Sequence, residues 1–116
     1  RIGDAQISVL FTTNPGTGAA VTEPKVVWLK RNPTTDDWEP ADLTRTDTRI
    51  TDNGTPEQHQ HIATLLFGRA AKGGSVLPSE ADTGTYIAQI TTTYPDGSEH
   101  VTNSLAVHVD IGAPLN

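Results

Sequence analysis

Short apolar runs separated by turn residues are the main pattern along this sequence. In the first run, Ile7, Val9 and Phe11 occupy every second position. An alternation with period two predicts a strand with one buried face. The second run spans Lys25–Arg31 and ends before Pro33, because proline has no N–H to donate to a sheet. The first third of the chain therefore contains two predicted strands.

The rest of the chain continues this arrangement of strands and turns. Further strands are predicted over 38–43, 45–52, 61–67, 85–94 and 100–111. Gly97 marks a hairpin turn between the last two, since glycine readily adopts a positive φ. The segment 69–79 is predicted to be a loop. The absence of a helical period predicts an all-β sandwich or barrel, and periodicity alone does not choose between the two.

Composition and charge narrow the class of protein. The chain has 116 residues, which suits one domain over 1–111 followed by a linker at 112–116. It contains no cysteine, which excludes a disulfide framework, a thiolate metal site and a cysteine nucleophile. A formal net charge of -6 disfavours nucleic acid and anionic membranes as partners. No stretch is long enough to span a membrane, so any anchor is expected in a longer parent chain.

The segment 82–88, with the sequence Asp-Thr-Gly-Thr-Tyr-Ile-Ala, contains the most specific motif. It resembles the tyrosine-corner motif D-x-G-x-Y-x-C of the immunoglobulin superfamily, with Ala88 in place of the second cysteine. The resemblance implies that the Tyr86 hydroxyl turns back to the backbone of the preceding loop. It also implies that Asp82 and Gly84 belong to the corner.

The resemblance extends over nearly the whole chain. Trp28 matches the buried tryptophan of the family's strand C. The segment 3–11 resembles strand B, with Phe11 at the position of the first cysteine. Phe11 and Ala88 are then expected to fill the space of the missing disulfide by packing.

The region between the predicted strands C and E suggests the subtype. Arg49 resembles the arginine at the start of the family's strand D, which implies an ion pair with Asp82. Two strands between residues 38 and 52 match a variable-type domain. The resemblance therefore implies an immunoglobulin-like β-sandwich, a variable-type Greek key of two antiparallel sheets.

Few residues suggest catalysis or metal binding. His59 and His61 lie on one side of a predicted strand, but no third ligand has a suitable spacing. No nucleophile, phosphate-loop or metalloprotease motif is present, so we expect no enzyme activity, cofactor or metal. Asn53 begins the sequence Asn-Gly-Thr, which is a candidate N-glycosylation site or simply a hairpin turn.

Alternation predicts an unusually apolar outward surface on the sheet that contains strands C and F. If Trp28 and Tyr86 face the core, the residues between core positions face outward. The candidate interface residues are Val27, Leu29, Arg31, Ile87, Gln89, Thr91 and His108. Apolar patches mark interfaces, although a loop or a neighbouring domain covering the surface is the alternative. His108 is either an interface residue or solvated.

A variable-type domain without cysteines is similar to the outer domains of the allorecognition receptors of colonial cnidarians. This resemblance implies an extracellular recognition module on a cell-surface receptor. Such a module binds a protein partner, and a homophilic contact would be a two-fold pairing through the sheet G-F-C-C′. The alternative is a structural or carbohydrate-adhesive domain of a viral, phage or bacterial surface protein. An accessory domain of an enzyme is a third hypothesis.

Overall fold

The computed structural model describes residues 4–12, 24–52, 60–68, 78–94 and 97–111. These residues form eight strands and one 3-10 turn at Glu80–Asp82. The strands are β1 (Asp4–Thr12), β2 (Lys25–Arg31), β3 (Trp38–Pro40), β4 (Thr46–Asp52), β5 (Gln60–Gly68), β6 (Gly84–Thr93), β7 (Glu99–Asn103) and β8 (Val107–Val109).

The strands form two antiparallel sheets. One is three-stranded, in the order β1-β5-β4, and the other is five-stranded, in the order β3-β2-β6-β7 with β8 also paired to β6. The chain crosses between the sheets after β1, after β3 and after β5, which is a Greek-key path. This order matches strands B-E-D and C′-C-F-G of an immunoglobulin-like fold. The prediction of an all-β sandwich of two antiparallel sheets is confirmed.

The core lies between the two sheets and is centred on large side chains from both. Trp28 and Ala88 are Cα partners on β2 and β6, and both are buried. Phe67 of β5 meets the ring of Tyr86 edge to face, with centroids 5.5 Å apart. Such a T-shaped contact adds to the stabilisation from burial alone. The remaining buried members of the cluster are Ala41, Ala63, Leu65, Ile90, Val109 and Ile111.

The tyrosine corner has the hydrogen bond that the sequence resemblance implied. The Tyr86 hydroxyl donates to the carbonyl oxygen of Asp82 at 2.7 Å. The carboxylate of Asp82 accepts the backbone N–H of Ser79 at 2.9 Å, which closes a capping box around the 3-10 turn. The carbonyl of Asp82 thus ties the turn to β6, and its carboxylate holds the turn itself together.

The predicted ion pair between Arg49 and Asp82 is wrong, because the arginine that pairs with Asp82 is Arg45. The guanidinium of Arg45 donates to both carboxylate oxygens of Asp82, from Nε at 2.9 Å and from Nη2 at 3.0 Å. Arg45 immediately precedes β4, whose first residue, Thr46, pairs with Phe67 near the corner. Arg49 lies in the middle of β4, away from this end of the strand. The register of β4 therefore selects the earlier arginine.

Gly84 of the corner motif lies against the Lys30 side chain. A Cβ at this position would come within 2.7 Å of the Lys30 Cε atom. The Lys30 ammonium donates to the carbonyl of Ala81 at 2.7 Å and lies 5.8 Å from the centroid of the Tyr86 ring. The hydrogen bond is exposed and the lysine is flexible, so the glycine is replaceable if Lys30 moves.

We predict that Gly84→Ala lowers the free energy of unfolding by less than about 1 kcal/mol, since only a flexible lysine has to shift. Urea unfolding of the variant and of Lys30→Ala measures the effect. A loss above about 2 kcal/mol in Gly84→Ala alone would show that Lys30 is held rigidly against the corner.

The turn between β2 and β3 is built by Asn32. Its backbone N–H donates to the Asp37 carbonyl at 2.7 Å, and its carbonyl accepts the N–H of Asp36 at 2.7 Å. Its side-chain oxygen accepts the N–H of Thr34 at 2.9 Å. Asp36 adopts a φ of 64°, a left-handed conformation that aspartate tolerates better than most residues. This turn sets β3 beside β2.

Candidate interaction face of the five-stranded sheet

The outer face of the five-stranded sheet is the surface turned away from the core. Because Trp28, Tyr86 and Ala88 are buried in the core, the odd-numbered residues of β2 and β6 lie on the outer face. Paired residues of neighbouring strands share a side. The register therefore arranges the outer residues in rows that run across the strands. At one end, Trp38 pairs with Arg31, and Thr85 pairs with His108. The next rows are Pro40, Leu29 and Ile87, then Val27, Gln89 and Asn103, and finally Lys25, Thr91 and Val101.

One end of the outer face is polar and aromatic. Arg31 forms an ion pair with Asp36 in the adjoining turn, and Trp38 is its cross-strand partner on β3. On the other side, Thr85 Oγ1 and His108 Nδ1 are 3.1 Å apart. His108 is exposed, as the alternation predicted.

The centre of the outer face differs from the prediction at Ile87. This residue lies on the outer side of β6, but only 7% of its surface is exposed. Leu29 flanks it as its cross-strand partner on β2, and the segment 104–106 runs along its other side between β7 and β8. The expectation that Ile87 is an accessible interface residue is therefore wrong. Neighbouring parts of the same sheet cover Ile87, whereas Leu29 remains partly exposed.

Accessible apolar surface lies on either side of this centre. Trp38 is 39% exposed, Val27 is 47% exposed and Val101 is 56% exposed. Gln89 and Thr91 lie between the two valines and are partly exposed, as a polar rim would be. Scattered apolar residues are ordinary, but several on one sheet face form the kind of surface that proteins use for contact.

The charge of the outer face differs from that of the whole chain. Its charged residues are Lys25, Arg31 and Glu99, of which Glu99 pairs with Thr93 at the end of β6. The chain as a whole contains 14 Asp and Glu residues against 8 Lys and Arg. Acidic side chains are thus largely kept off this surface, which lowers the electrostatic cost of contact with another acidic protein.

Sequence reasoning missed Trp38 and Val101 as members of the outer face. Trp38 was detectable, because the turn after Arg31 places it opposite that outward residue. Val101 was not, because the last predicted strand, 100–111, is interrupted at 104–106. Val107 lies four residues after Asn103, whereas their partners on β6, Tyr86 and Gln89, are only three residues apart. This extra residue is a β-bulge, which shifts the alternation so that Val101 and His108 share a face.

Ser104 holds the bulge in place. Its backbone N–H donates to the Ala88 carbonyl at 2.8 Å, and its hydroxyl oxygen accepts the Ala88 N–H at 2.8 Å. The same hydroxyl donates to the Leu105 carbonyl at 2.9 Å. The Ser104 hydroxyl thus takes the place of a backbone carbonyl as the acceptor for the Ala88 N–H, at the point where the chain after β7 leaves β6.

The other candidate sites give little further chemistry. Asn53, His59 and the linker 112–116 lie outside the described residues. The ring of His61 stacks on Phe11, with centroids 5.4 Å apart. In the part of the chain that the structure describes, no three His, Cys, Asp or Glu side chains are grouped as metal ligands. No helix formed by those residues has the length and apolar character needed to cross a membrane.

No protein-family model matches the sequence, and no curated protein matches it either.

Proposed function

We propose that the chain is an immunoglobulin-superfamily recognition module of variable type, displayed outside the cell as part of a membrane-anchored receptor. It binds a protein partner through the outer face of the five-stranded sheet, and that partner is a second copy of the chain. The strand order, the tyrosine corner and the strand-C tryptophan support the family assignment. The resemblance to cnidarian allorecognition receptors supports homophilic binding between two cell surfaces.

The observation that supports a contact role most directly is the group of exposed apolar side chains on a face with few acidic groups. Trp38 and Arg31 lie side by side there, and tryptophan and arginine are among the residue types most often found at the energetic centre of protein interfaces. Val27 adds exposed apolar area beyond the row of Leu29 and Ile87. The acidic groups elsewhere on the chain keep other surfaces apart by repulsion.

A second copy fits the geometry of a sheet face. A two-fold contact needs only one self-complementary surface, which both copies supply. The outer face has little net charge, since Arg31 is paired with Asp36 and Lys25 is opposed by Glu99, so two copies meet there without strong repulsion. Homophilic binding therefore requires no further surface.

We predict that Trp38→Ala weakens homophilic binding about 30-fold, the effect of losing a hot-spot side chain worth about 2 kcal/mol. Val27→Arg is expected to abolish it, because it places an unpaired charge in the contact. Sedimentation velocity measures self-association in solution. Clustering of beads coated with the domain detects weaker contacts, since many copies act together.

Thr51→Arg is the matched control for Val27→Arg. Thr51 is exposed on β4 of the three-stranded sheet, away from the outer face. This variant gains the same charge and is expected to cluster like the wild type. Wild-type domain that stays monomeric and does not cluster beads would disprove homophilic binding. Clustering that survives Val27→Arg would place the contact on another surface. Ile87 is unsuitable for such a test because it is buried.

A carbohydrate-adhesive role is the second candidate, and one feature favours it. A cavity of about 290 Å³ opens next to Arg31 and is lined also by Lys30, Thr85 and His108. These donors, with the exposed ring of Trp38 nearby, suit an acidic sugar. Binding to a glycan array without bead clustering would support this role over homophilic binding.

A further inference from the structure

A groove of about 500 Å³ lies on one side of the sandwich, where β1 of the three-stranded sheet faces the β7–β8 segment of the five-stranded sheet. Val9, Leu10 and Phe11 line it from β1, and Ile90 lines it from β6. The segment 102–107 forms the other wall. The groove therefore opens between the two sheets, apart from the outer face described above.

The inward residues of β1 are incompletely covered at this groove. Ile7, Val9 and Phe11 pack against the core but stay partly exposed. On the neighbouring strand, the Cα partners of Ile7 and Val9 are Leu65 and Ala63, which are completely buried. The sandwich is thus closed at β5 and left open at β1. Apolar side chains that point inward yet stay accessible are a surface that gains stability when covered.

Within the described ranges, the open side also has backbone hydrogen-bonding groups that no other strand pairs with. Among the described residues, β1 pairs only with β5, and β7 pairs only with β6. In an antiparallel pair, alternate residues direct their N–H and C=O groups away from the partner strand. The free edge of β1 therefore presents donors and acceptors in the spacing that another strand matches, and such an edge is a template for strand pairing.

Apolar residues extend to the rim of the groove. Leu10 and Leu105 line it from opposite walls and are both exposed, Leu105 to 89%. A leucine at an open strand edge is the opposite of the charged or proline residues that usually block edges. The rim thus favours contact with a further apolar surface.

From this geometry we infer that the groove is a strand-addition site for an extended segment of a partner protein. The segment pairs its backbone with the free edge of β1 and directs every second side chain into the groove. Its inward side chains are apolar, because the lining is, and its outward ones are polar. About five residues suffice, the usual length of a strand. The net charge of -6 favours a segment with basic flanks.

The inference is independent of the outer face and of homophilic binding. The probe is a fluorescent synthetic peptide with lysine at both ends and alternating valine and threonine between them. We expect it to bind the intact domain, measured by fluorescence anisotropy. The same peptide N-methylated at alternate residues loses the hydrogen bonds of one edge and is expected to bind at least tenfold more weakly.

Two exposed leucines provide matched variants. Leu105→Glu places a charge at the groove and is expected to weaken peptide binding at least tenfold. Leu43→Glu places the same charge elsewhere, on a leucine that is also exposed, and is expected to leave binding unchanged. Val27→Arg is also expected to bind the peptide normally, which separates this site from the outer face. Hydrogen exchange is expected to slow at β1 amides when the peptide is bound.

Four results would overturn the inference. The first is no binding at millimolar peptide, and the second is equal binding of the N-methylated peptide, which would indicate side-chain capture without strand pairing. The third is self-association of the domain that Leu105→Glu abolishes, because the occupant would then be a second copy. The fourth is full protection of the β1 amides in the free protein, which would mean that the chain fills its own groove.

Discussion

Replacing Arg45 with alanine is expected to lower the free energy of unfolding by about 3 kcal/mol. The carboxylate of Asp82 has a side-chain exposure of only 3%, and Arg45 supplies two of its hydrogen bonds. Removal of the guanidinium leaves a buried negative charge with the Ser79 N–H as its remaining described donor. Loss of one partner of a buried ion pair is far more costly than loss of a surface pair.

Arg49→Ala is the matched control. It removes the same side chain from a position on β4 that does not reach the corner, and it is expected to cost less than about 0.5 kcal/mol. Urea unfolding of both variants at pH 7 measures the difference. Equal losses would contradict the structural assignment of the ion pair. A larger loss in Arg49→Ala would restore the pairing that the sequence resemblance implied.

Alkaline unfolding is expected to depend on Tyr86. Burial of its ring, followed by the nearby charge of Asp82, raises the pKa of the hydroxyl to about 12. The ordinary value is about 10, so the folded state holds the proton more tightly than the unfolded state. The stabilisation is fully present below pH 10 and is lost as the pH rises toward 12. A shift of this size corresponds to about 3 kcal/mol.

Tyr86→Phe is the variant that tests the cause. It removes the hydrogen bond to the Asp82 carbonyl and is expected to cost about 1–2 kcal/mol at pH 7. Its stability is expected to fall less between pH 10 and 12 than that of the wild type, because no hydroxyl remains to ionise. Tyr94→Phe is the control and is expected to keep the wild-type decline. Parallel declines in all three proteins would place the alkaline sensitivity elsewhere, for example in the lysines.

The fold class was predictable because alternation and turn residues are local signals. Ile7, Val9 and Phe11 show the core-facing side of β1 directly, and the corner motif alone is enough to place Tyr86 at the start of a strand. The ion-pair partner of Asp82 could not be predicted from such local signals. Arg45 immediately precedes β4 and Arg49 lies in its middle, and only the register of that strand decides which one reaches the corner.

The candidate face shows the same division between local and non-local information. Val27 was correctly placed outward because β2 alternates regularly. Ile87 also lies on the outer side, but its accessibility depends on neighbouring strands, which a single-strand pattern does not contain. Val101 was missed because an extra residue at the bulge shifts the alternation of the last strand. Errors of this kind arise wherever an irregularity separates two regular segments.

The pairing of β1 with β5 has a consequence for the order in which the chain can fold. Ser8 and Thr64 hydrogen-bond across these strands although they are 56 residues apart in sequence. During synthesis at about 5–20 residues per second, β1 waits roughly 3–11 seconds for its partner strand to be made. A nascent chain therefore holds an unpaired apolar strand for far longer than strands take to associate, which leaves β1 open to wrong contacts during synthesis.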